Sequence, residues 1–412
     1  MSMELKLREY ARLLVEVGLN IQKGQTMLVR APVQCADFVR LCAEAAYDVG
    51  CREVVADFSD DALSRMRYLR ADADVFDECP AWLVDKMTGL AEGGMGMLGI
   101  AASDPEMLKG VDPDRIRRTA QSMGNALKTY YAMQMSNAFP WCVASVPTLA
   151  WAKRVFPGQN DRDAMAALWD AIFAAVRVDG SGNAVERWRE HVAETQIQCE
   201  RLNGLRLASL HYRNSLGTDL TVELPEKHLW MGGSEVCKAG SPFIANMPTE
   251  EIFTAPKCGG VNGRVVSSMP FSLSGNVIER FAFTLEAGKI VKIETDNPTD
   301  QTLLEDAISV DEGAAYFGEV ALVPYDSPIR KLGILFYNTL FDENAACHFA
   351  FGEAYPCLEG GMEMDKETLK EHGLNDSITH HDFMVGTPDL SITGLTREGE
   401  EIPVFVDGQF SL

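Results

Sequence analysis

The chain has 412 residues, of which 46% are hydrophobic and 24% are charged, and its formal net charge is −23 at pH 7. This composition is typical of a folded globular protein, and the strong negative charge disfavours nucleic acid and anionic membrane surfaces as partners. The charged N-terminal segment predicts no signal peptide, and no segment approaches the ~20 apolar residues that a membrane-spanning helix needs.

Residues 1–200 alternate between strand-like and helix-like patterns, which predicts an α/β domain with a mostly parallel sheet. We expect a layered architecture of the Rossmann-like or flavodoxin-like type. Gly24 and Gly50 are placed as stops after the first two helices. Helices are predicted at 5–19, 38–49 and 113–135 and strands at 27–30, 53–58, 96–102 and 141–146.

The segment Gly94–Gly99 matches the pattern Gly-x-Gly-x-x-Gly, which occurs in dinucleotide-binding loops. Such a loop must follow a strand and begin a helix, so that the phosphates meet the helix N-terminus. Here the glycines lead into a strand instead. We therefore favour tight packing of this strand over a nucleotide site, and a nucleotide-dependent oxidoreductase built on residues 1–150 stays only as an alternative.

A linker-like segment at 179–183 and a helix over 185–202 precede a change of pattern. From residue 205 onward short alternating strands dominate, separated by turns such as Asn262-Gly263. The sequence thus predicts two domains, an N-terminal α/β domain over 1–200 and a C-terminal mixed α+β domain over 201–412.

The ten cysteines are scattered and form no Cys-x-x-Cys pair. This distribution argues against a zinc ribbon or a disulfide framework. Free, mostly buried thiols are expected instead, and they predict a reducing, cytoplasmic environment.

Four of the seven histidines fall in one 34-residue window together with several acids. Within it, 378–385 has the β-branched and apolar residues of a strand, in which residues two apart share a face. His380 and Asp382 would therefore project together, as one nitrogen and one oxygen donor suited to Zn, Mn or Co, and His381 would point the other way. A buried His380–Asp382 hydrogen bond explains the same spacing equally well.

Other candidate donors carry weaker local signals. Glu343 and His348 are five residues apart, so they share neither a strand face nor a helix face and converge only across a turn or a helix start. An apolar strand follows each of three glutamates, Glu250, Glu251 and Glu319. If such a carboxylate is buried, it requires a metal or another cation as its partner, whereas a carboxylate at a solvated strand end requires no partner.

Four blocks, at 246–256, 318–324, 340–356 and 380–386, match in order and spacing the thermophilic-type metallo-aminopeptidases that include aminopeptidases T and S. The chain therefore resembles this family. The resemblance implies a two-domain subunit that forms a homodimer and removes N-terminal residues from peptides with a free N-terminus, using two divalent ions (Zn, Co or Mn). It implies Tyr355 as an active-site tyrosine and, as metal ligands, Glu251, Glu319, Glu343, His348, His380 and Asp382.

The corresponding mechanism uses the two metals to lower the pKa of a shared water and to polarise the scissile carbonyl. Glu250 or another acid near the metal pair is the expected proton shuttle, and Tyr355 is expected to donate a hydrogen bond to the developing oxyanion. Whether Glu250 or Glu251 is the ligand stays open in the motif, and Glu251 is favoured. Two alternatives also remain: a metal-dependent hydrolase of another small amide, and a non-catalytic peptide-binding protein.

Overall fold

The computed structural model describes residues 2–102, 104, 106–273 and 276–412. Ser103 and Pro105, which follow the third predicted strand, lie outside the described residues. The α-helices are α1 Met3–Leu13, α2 Ala36–Asp48, α3 Asp61–Arg70, α4 Ala81–Glu92, α5 Pro113–Ala126, α6 Lys128–Met135, α7 Leu149–Val155, α8 Asp161–Ala175, α9 Ala184–Leu205, α10 Pro298–Ile308, α11 Pro328–Leu332, α12 Thr339–Asp342 and α13 Lys366–Glu371.

The strands are likewise numbered along the chain. They are β1 Thr26–Pro32, β2 Glu53–Ser59, β3 Gly96–Ile100, β4 Trp141–Ala144, β5 Leu207–Arg213, β6 Asp219–Glu223, β7 Met231–Gly232, β8 Glu235–Val236, β9 Pro242–Phe243, β10 Ile252–Thr254, β11 Val261–Val266, β12 Phe271–Leu273, β13 Asn276–Ile278, β14 Phe281–Glu286, β15 Lys289–Thr295, β16 Phe317–Leu322, β17 His348–Gly352, β18 His380–Met384, β19 Ser391–Thr396, β20 Glu401–Val406 and β21 Gln409–Phe410.

The chain folds into two compact units. The first comprises residues 1–190 and 234–248, and the second comprises 191–233 and 249–412. The predicted domains, 1–200 and 201–412, divide the chain at a different residue, and their folding as separate domains stays a prediction. Among the described residues, none of the helices combines the length and apolar character that crossing a lipid bilayer requires.

The first unit is built on a parallel four-stranded sheet in the order β2-β1-β3-β4, which confirms the predicted parallel α/β architecture. Strand β1 lies inside the sheet because its residues are almost all apolar; Leu28, for example, is fully buried opposite Val55 and Met97. The helical run predicted over 113–135 is two helices, α5 and α6, which meet at Leu127.

Turn geometry and packing explain two of the glycines of 94–99, Gly94 and Gly96. Gly94 has φ +68° in the turn before β3, and a Cβ on Gly96 would lie 2.4 Å from Cδ1 of Ile21. The next helix after β3, α5, begins only at Pro113. The pattern therefore belongs to a tightly packed strand rather than to a loop that begins a helix, as expected for the steric interpretation.

The second unit contains two larger antiparallel sheets. One has the order β15-β14-β11-β6-β5-β19-β20-β21, and the other has the order β18-β17-β16-β10-β7. Apolar side chains from both sheets form one core, in which the rings of Tyr212 on β5 and Phe349 on β17 are 5.0 Å apart. Phe383 on β18 and Val320 on β16 belong to the same core. One face of the five-stranded sheet is therefore apolar and packed in the core, and its other face is available for polar side chains.

Candidate metal centre

The face of the five-stranded sheet opposite the core carries a set of nitrogen and oxygen donors. Its position follows from strand register: Glu319 on β16 is opposite Ala350 on β17, and Ala350 is opposite Asp382 on β18. His348 is opposite Ala321, and His380 is opposite Gly352. Residues opposite each other, and residues two apart, share a face. The alternation therefore places all four donors on one face, among small neighbours that leave space above the sheet.

Glu251 joins these donors from the neighbouring strand. It immediately precedes β10, whose first residue, Ile252, is buried in the apolar core. Its side chain therefore projects to the opposite face, where its Oε2 lies 3.1 Å from Nε2 of His348. Of the two candidate glutamates at this position, it is Glu251 rather than Glu250 that lies beside His348.

His380 and Asp382 lie together, with Nε2 of His380 3.1 Å from Oδ1 of Asp382. Gly352 makes this arrangement possible. It has φ +112°, and a Cβ there would lie 2.0 Å from the carbonyl oxygen of Thr379, which directly precedes His380. His381 points to the other face, where its ring is 5.1 Å from that of Phe351.

Glu319 connects the two histidines. Its Oε1 lies 3.5 Å from Nε2 of His348, and its Oε2 lies 3.5 Å from Nε2 of His380. Two triads thus form, Glu251–Glu319–His348 and Glu319–His380–Asp382, and in each triad one ligand atom per residue lies within 4.8 Å of the others. The carboxylate of Glu319 therefore belongs to both triads and contributes one oxygen to each.

The buried atoms of the first triad fit a divalent cation. Oε2 of Glu251 and Nε2 of His348 are buried and, among the described residues, have no hydrogen-bond partner although they are 3.1 Å apart. Burying such groups without a partner is costly, and a cation between them would remove that cost. Imidazole and carboxylate together suit Zn, Co or Mn.

Backbone carbonyls orient both imidazoles. Nδ1 of His348 lies 3.1 Å from the carbonyl oxygen of Ala346, and Nδ1 of His380 lies 2.8 Å from that of Glu353. A proton on each Nδ1 is therefore held by the main chain, which leaves the lone pair on Nε2 for a metal. Such outer contacts commonly fix the tautomer of metal-binding histidines.

The pKa values report a strong negative potential in this site. Burial alone would lower the pKa of His348, but Glu251 and Glu319 raise it well above its ordinary value. Burial would also lower the pKa of His380, yet Asp382 and Glu319 raise it to about 10. The pKa of Glu251 is itself raised, chiefly by burial. The site therefore stabilises positive charge, which is what a bound cation supplies.

Glu343 is buried near this set but belongs to neither triad. It lies in the 3-10 turn 343–345 that ends just before His348, so the five-residue spacing is bridged by a turn, as the sequence requires. Burial raises its pKa well above the ordinary value, and the negative charges of Glu251 and Asp382 raise it further. Its place as a ligand stays a prediction.

Glu250 has a different neighbour, which sequence reasoning missed. Its Oε2 lies 3.8 Å from Nε2 of His191 on α9, and its backbone N–H donates to Oδ1 of Asn344 at 2.7 Å. The ring of His191 also lies 2.8 Å from the carbonyl oxygen of Thr249. A single histidine on a long helix carries no local signal, so only the tertiary fold could reveal this pairing.

Tyr355 is half-buried and packs edge to face against Phe253 at 5.9 Å. Phe253 belongs to β10 and is two residues beyond Glu251. Tyr355 therefore packs against the strand that positions this donor. Its predicted catalytic role stays a prediction.

Several known proteins resemble this chain over nearly its full length. A curated relative, aminopeptidase AmpS of Bacillus subtilis, is 44% identical over 411 residues, which cover 100% of this chain and 99% of the relative. Aminopeptidase 2 of Geobacillus stearothermophilus is 41% identical over 409 residues, with 99% and 98% covered. The solved structure of wild-type AmpT from Thermus thermophilus matches with a TM-score of 0.92 and 36% identity, and 100% of each chain is covered.

A family model, described as thermophilic metalloprotease, matches residues 3–410. The resemblance predicted from the four sequence blocks is thereby confirmed, as is the predicted enzyme class, a hydrolase that acts on peptide bonds. With the match spanning nearly the whole chain, this protein belongs to the thermophilic metalloprotease family.

Proposed function

We propose that the protein is an aminopeptidase that hydrolyses the N-terminal bond of peptides with a free N-terminus and that it holds two divalent ions. The observation that carries this proposal is the sharing of Glu319 between the two triads, because a carboxylate with one oxygen in each group can bridge a metal pair. The proposed ligands are Glu251, Glu319, Glu343, His348, His380 and Asp382.

Charge supports the number of ions. The four carboxylates of the proposed ligand set carry four negative charges, and the two imidazoles bind a metal in their neutral form. With all four carboxylates ionised, two divalent cations would balance this charge, whereas with one cation two of the negative charges would have to be neutralised by protons. Zn, Co and Mn all suit this mixture of imidazole and carboxylate.

When bound, such a metal pair supplies an acidified water and an electrophile for the scissile carbonyl. Glu250 is the proposed proton carrier between the attacking water and the leaving amine. The hydroxyl of Tyr355 is proposed to donate a hydrogen bond to the carbonyl oxygen as it gains charge. Acids around the ligand set are proposed to hold the substrate's α-ammonium, which would restrict cleavage to the first residue.

Finer features of the molecule are also proposed. The order β2-β1-β3-β4 supports a flavodoxin-like class for the N-terminal domain, with the metal site assigned to the C-terminal domain. None of the ten cysteines, all of them among the described residues, is in a disulfide, which supports a reducing, cytoplasmic location. The family resemblance supports a homodimer, which light scattering of the purified protein would test.

A panel of aminoacyl-p-nitroanilides and their N-acetyl counterparts tests the function. We expect release of nitroaniline only from the compounds with a free amine, its loss with a chelator, and its return with Zn, Co or Mn. Metal analysis of the active protein should give about two ions per subunit.

Three other results would contradict the proposal. Equal cleavage of the N-acetyl compounds would favour a hydrolase of other small amides. Two bound ions without cleavage of any compound or peptide would favour a non-catalytic peptide-binding protein. Cleavage that survives complete metal removal would exclude metal-dependent chemistry.

A further inference from the structure

A cleft of about 280 Å³ lies at the carboxyl edge of the parallel sheet in the first unit. The strands β1 to β4 are parallel, so their carboxyl ends meet at this one edge. All residues that line the cleft come from these four strands or directly follow them. The lining segments are 30–32, 57–59, 99–101 and Val143.

The cleft coincides with the point where the strand order reverses. From β1 the chain first adds β2 on one side and then β3 on the other. In open α/β sheets ligands bind outside the carboxyl ends of the strands at this reversal. The strands on either side of this reversal are β1 and β3. Arg30 on β1 and Gly99 on β3 are opposite each other in the register there.

Gly99 keeps the cleft open. Its φ is not in the left-handed region, and an added Cβ would meet no atom closer than Cγ2 of Val143 at 3.8 Å, an ordinary contact distance. Neither backbone conformation nor crowding therefore requires glycine at this position. The missing side chain leaves room beside Arg30, on the same face of the sheet.

The charged residues that line the cleft are Arg30 and Asp57, and Lys86, outside the lining, contacts the same acid. Nε of Arg30 lies 3.4 Å from Oδ2 of Asp57, while Nζ of Lys86 lies 2.9 Å from Oδ1 of the same carboxylate. One acid thus faces two cations. Among the described residues Asp57 is the only acid paired with Arg30, whose side chain is 46% exposed. A positive site is notable in a chain whose net charge is −23.

The other walls are apolar. Phe58 is 45% exposed beside the cleft, and Pro32, Ile100 and Val143 also line it. A ligand that fits here needs an anionic end and an apolar body. Because the volume is near the lower limit of about 300 Å³ for small-molecule sites, the ligand is about the size of one amino acid.

We propose that this cleft binds a small organic carboxylate with an apolar side chain. Its carboxylate pairs with the planar guanidinium of Arg30, whose two terminal nitrogens match two carboxylate oxygens. Its side chain rests on Pro32 and Val143, which share the face of Arg30 and Gly99. The site lies wholly in the first unit, and the proposal stands independently of the reaction proposed above.

N-acetyl-L-leucine is a suitable probe, because it has the carboxylate and the apolar side chain but no free amine for an aminopeptidase to recognise. Titration calorimetry of the metal-loaded protein compares it with N-acetyl-L-leucinamide, which is uncharged, and with inorganic phosphate. We expect saturable binding of the carboxylate alone. Arg30→Gln should weaken this binding about tenfold or more, because a charge-assisted contact is lost.

Arg264→Gln is the matched control, because Arg264 is also a half-exposed strand arginine and its Nε lies 3.1 Å from Oε2 of Glu294. This control should leave the affinity unchanged. Gly99→Val provides a second variant, which fills the space opposite Arg30 while keeping the arginine itself, and should also abolish binding. Unfolding temperatures verify that each variant is folded.

The proposal is overturned if N-acetyl-L-leucine does not bind the wild-type protein, or if Arg30→Gln and Gly99→Val both bind it as tightly as the wild type. Equal binding of the amide would overturn the role of the charge. Phosphate that binds more tightly and displaces the carboxylate would replace the proposed ligand class by an inorganic oxyanion.

Discussion

Glu319 occupies the position at which the two triads meet. Each of its oxygens lies 3.5 Å from Nε2 of a different histidine. Its loss should therefore affect both halves of the centre, whereas loss of Glu251 or Asp382 removes a donor from one triad only. The larger effect expected for loss of Glu319 follows from its position between the triads and not from its acidity.

Glu319→Gln should reduce metal content to less than half of the wild-type value and lower kcat by at least about 100-fold. Plasma emission spectrometry and nitroanilide assays measure the two quantities. Glu286→Gln is the matched control, because Glu286 is an exposed glutamate at the end of β14. Full metal content in the Glu319 variant would contradict the bridging role.

Protons and metal should compete at His380. In the metal-free protein its pKa is raised to about 10, so the ring is protonated at lower pH, while a metal requires the neutral ring. Metal binding must expel this proton. Affinity for Mn²⁺ should therefore rise with pH over the range below about 10.

Calorimetric titration with Mn²⁺ in buffers of different ionisation enthalpy counts the released protons. His381→Gln should leave the count unchanged, because burial lowers the pKa of His381 and its ring is already neutral. An affinity that decreases with rising pH, or no proton release at all, would contradict the assignment of His380.

At the scale of elements, β18 depends on the turn before it. The carboxylate of Asp311 accepts the backbone N–H of Ile378 at 2.7 Å and the hydroxyl of Ser377 at 2.9 Å. The carboxylate of Glu353 accepts the N–H of Ser377 at 2.6 Å, and the carbonyl of Glu353 meets His380. Two acids outside the triads therefore fix the start of the strand that carries His380.

Asp311→Asn should weaken metal binding about 10-fold, because the amide cannot accept every one of these bonds and the strand start loosens. Excess metal should restore kcat, which a general loss of fold would not allow. Asp389→Asn is the control, since Asp389 likewise accepts one backbone N–H and one hydroxyl, from Ser215 and Thr387. Unchanged metal affinity in the Asp311 variant would refute the positioning role.

Strands were predictable where apolar residues form uninterrupted runs, as in β1 and β3. The break between α5 and α6 was not, because the poor helix formers before it, Gly124 and Asn125, still lie inside α5, and Leu127, where the helices meet, is itself a good helix former. The segment 234–248 carries β8 and β9 and belongs to the first unit through contacts such as that between the backbone N–H of Lys238 and the carbonyl of Asn137. Such long-range contacts leave no local pattern.

The donors of the metal centre differed in how far the sequence could place them. The pairing of His380 with Asp382 follows from strand alternation alone. The approach of Glu251 to His348 depends on β10 pairing with β16, which no local signal indicates. His191 lies next to Glu250 only because α9 and the segment after Pro248 meet in the second unit.

At the scale of the molecule, the metal centre should stabilise one unit selectively. Without cations the second unit retains buried acids, among them Glu251 and Glu343, whose pKa values are raised by burial. A bound ion stabilises only the folded state, so its removal should increase opening of this unit.

Hydrogen exchange followed by mass spectrometry measures this effect. On chelation, peptides that cover β16 to β18 should exchange about tenfold faster, while peptides that cover β1 to β3 should not change. Equal acceleration in both units would mean that the metal acts on the whole chain, and no acceleration would mean that the site is rigid without metal.

The two faces of the five-stranded sheet also make incorrect pairing of its strands unfavourable. A shift of β18 by one residue would exchange the faces of His380 and His381 and would turn Phe383 away from the core. The packing of the apolar face thus fixes the register of the donor face, because a misaligned strand loses its core contacts whether or not a metal is bound. For the same reason, deletion of a single residue within β16, β17 or β18 should be far less tolerated than deletion of one in a surface loop.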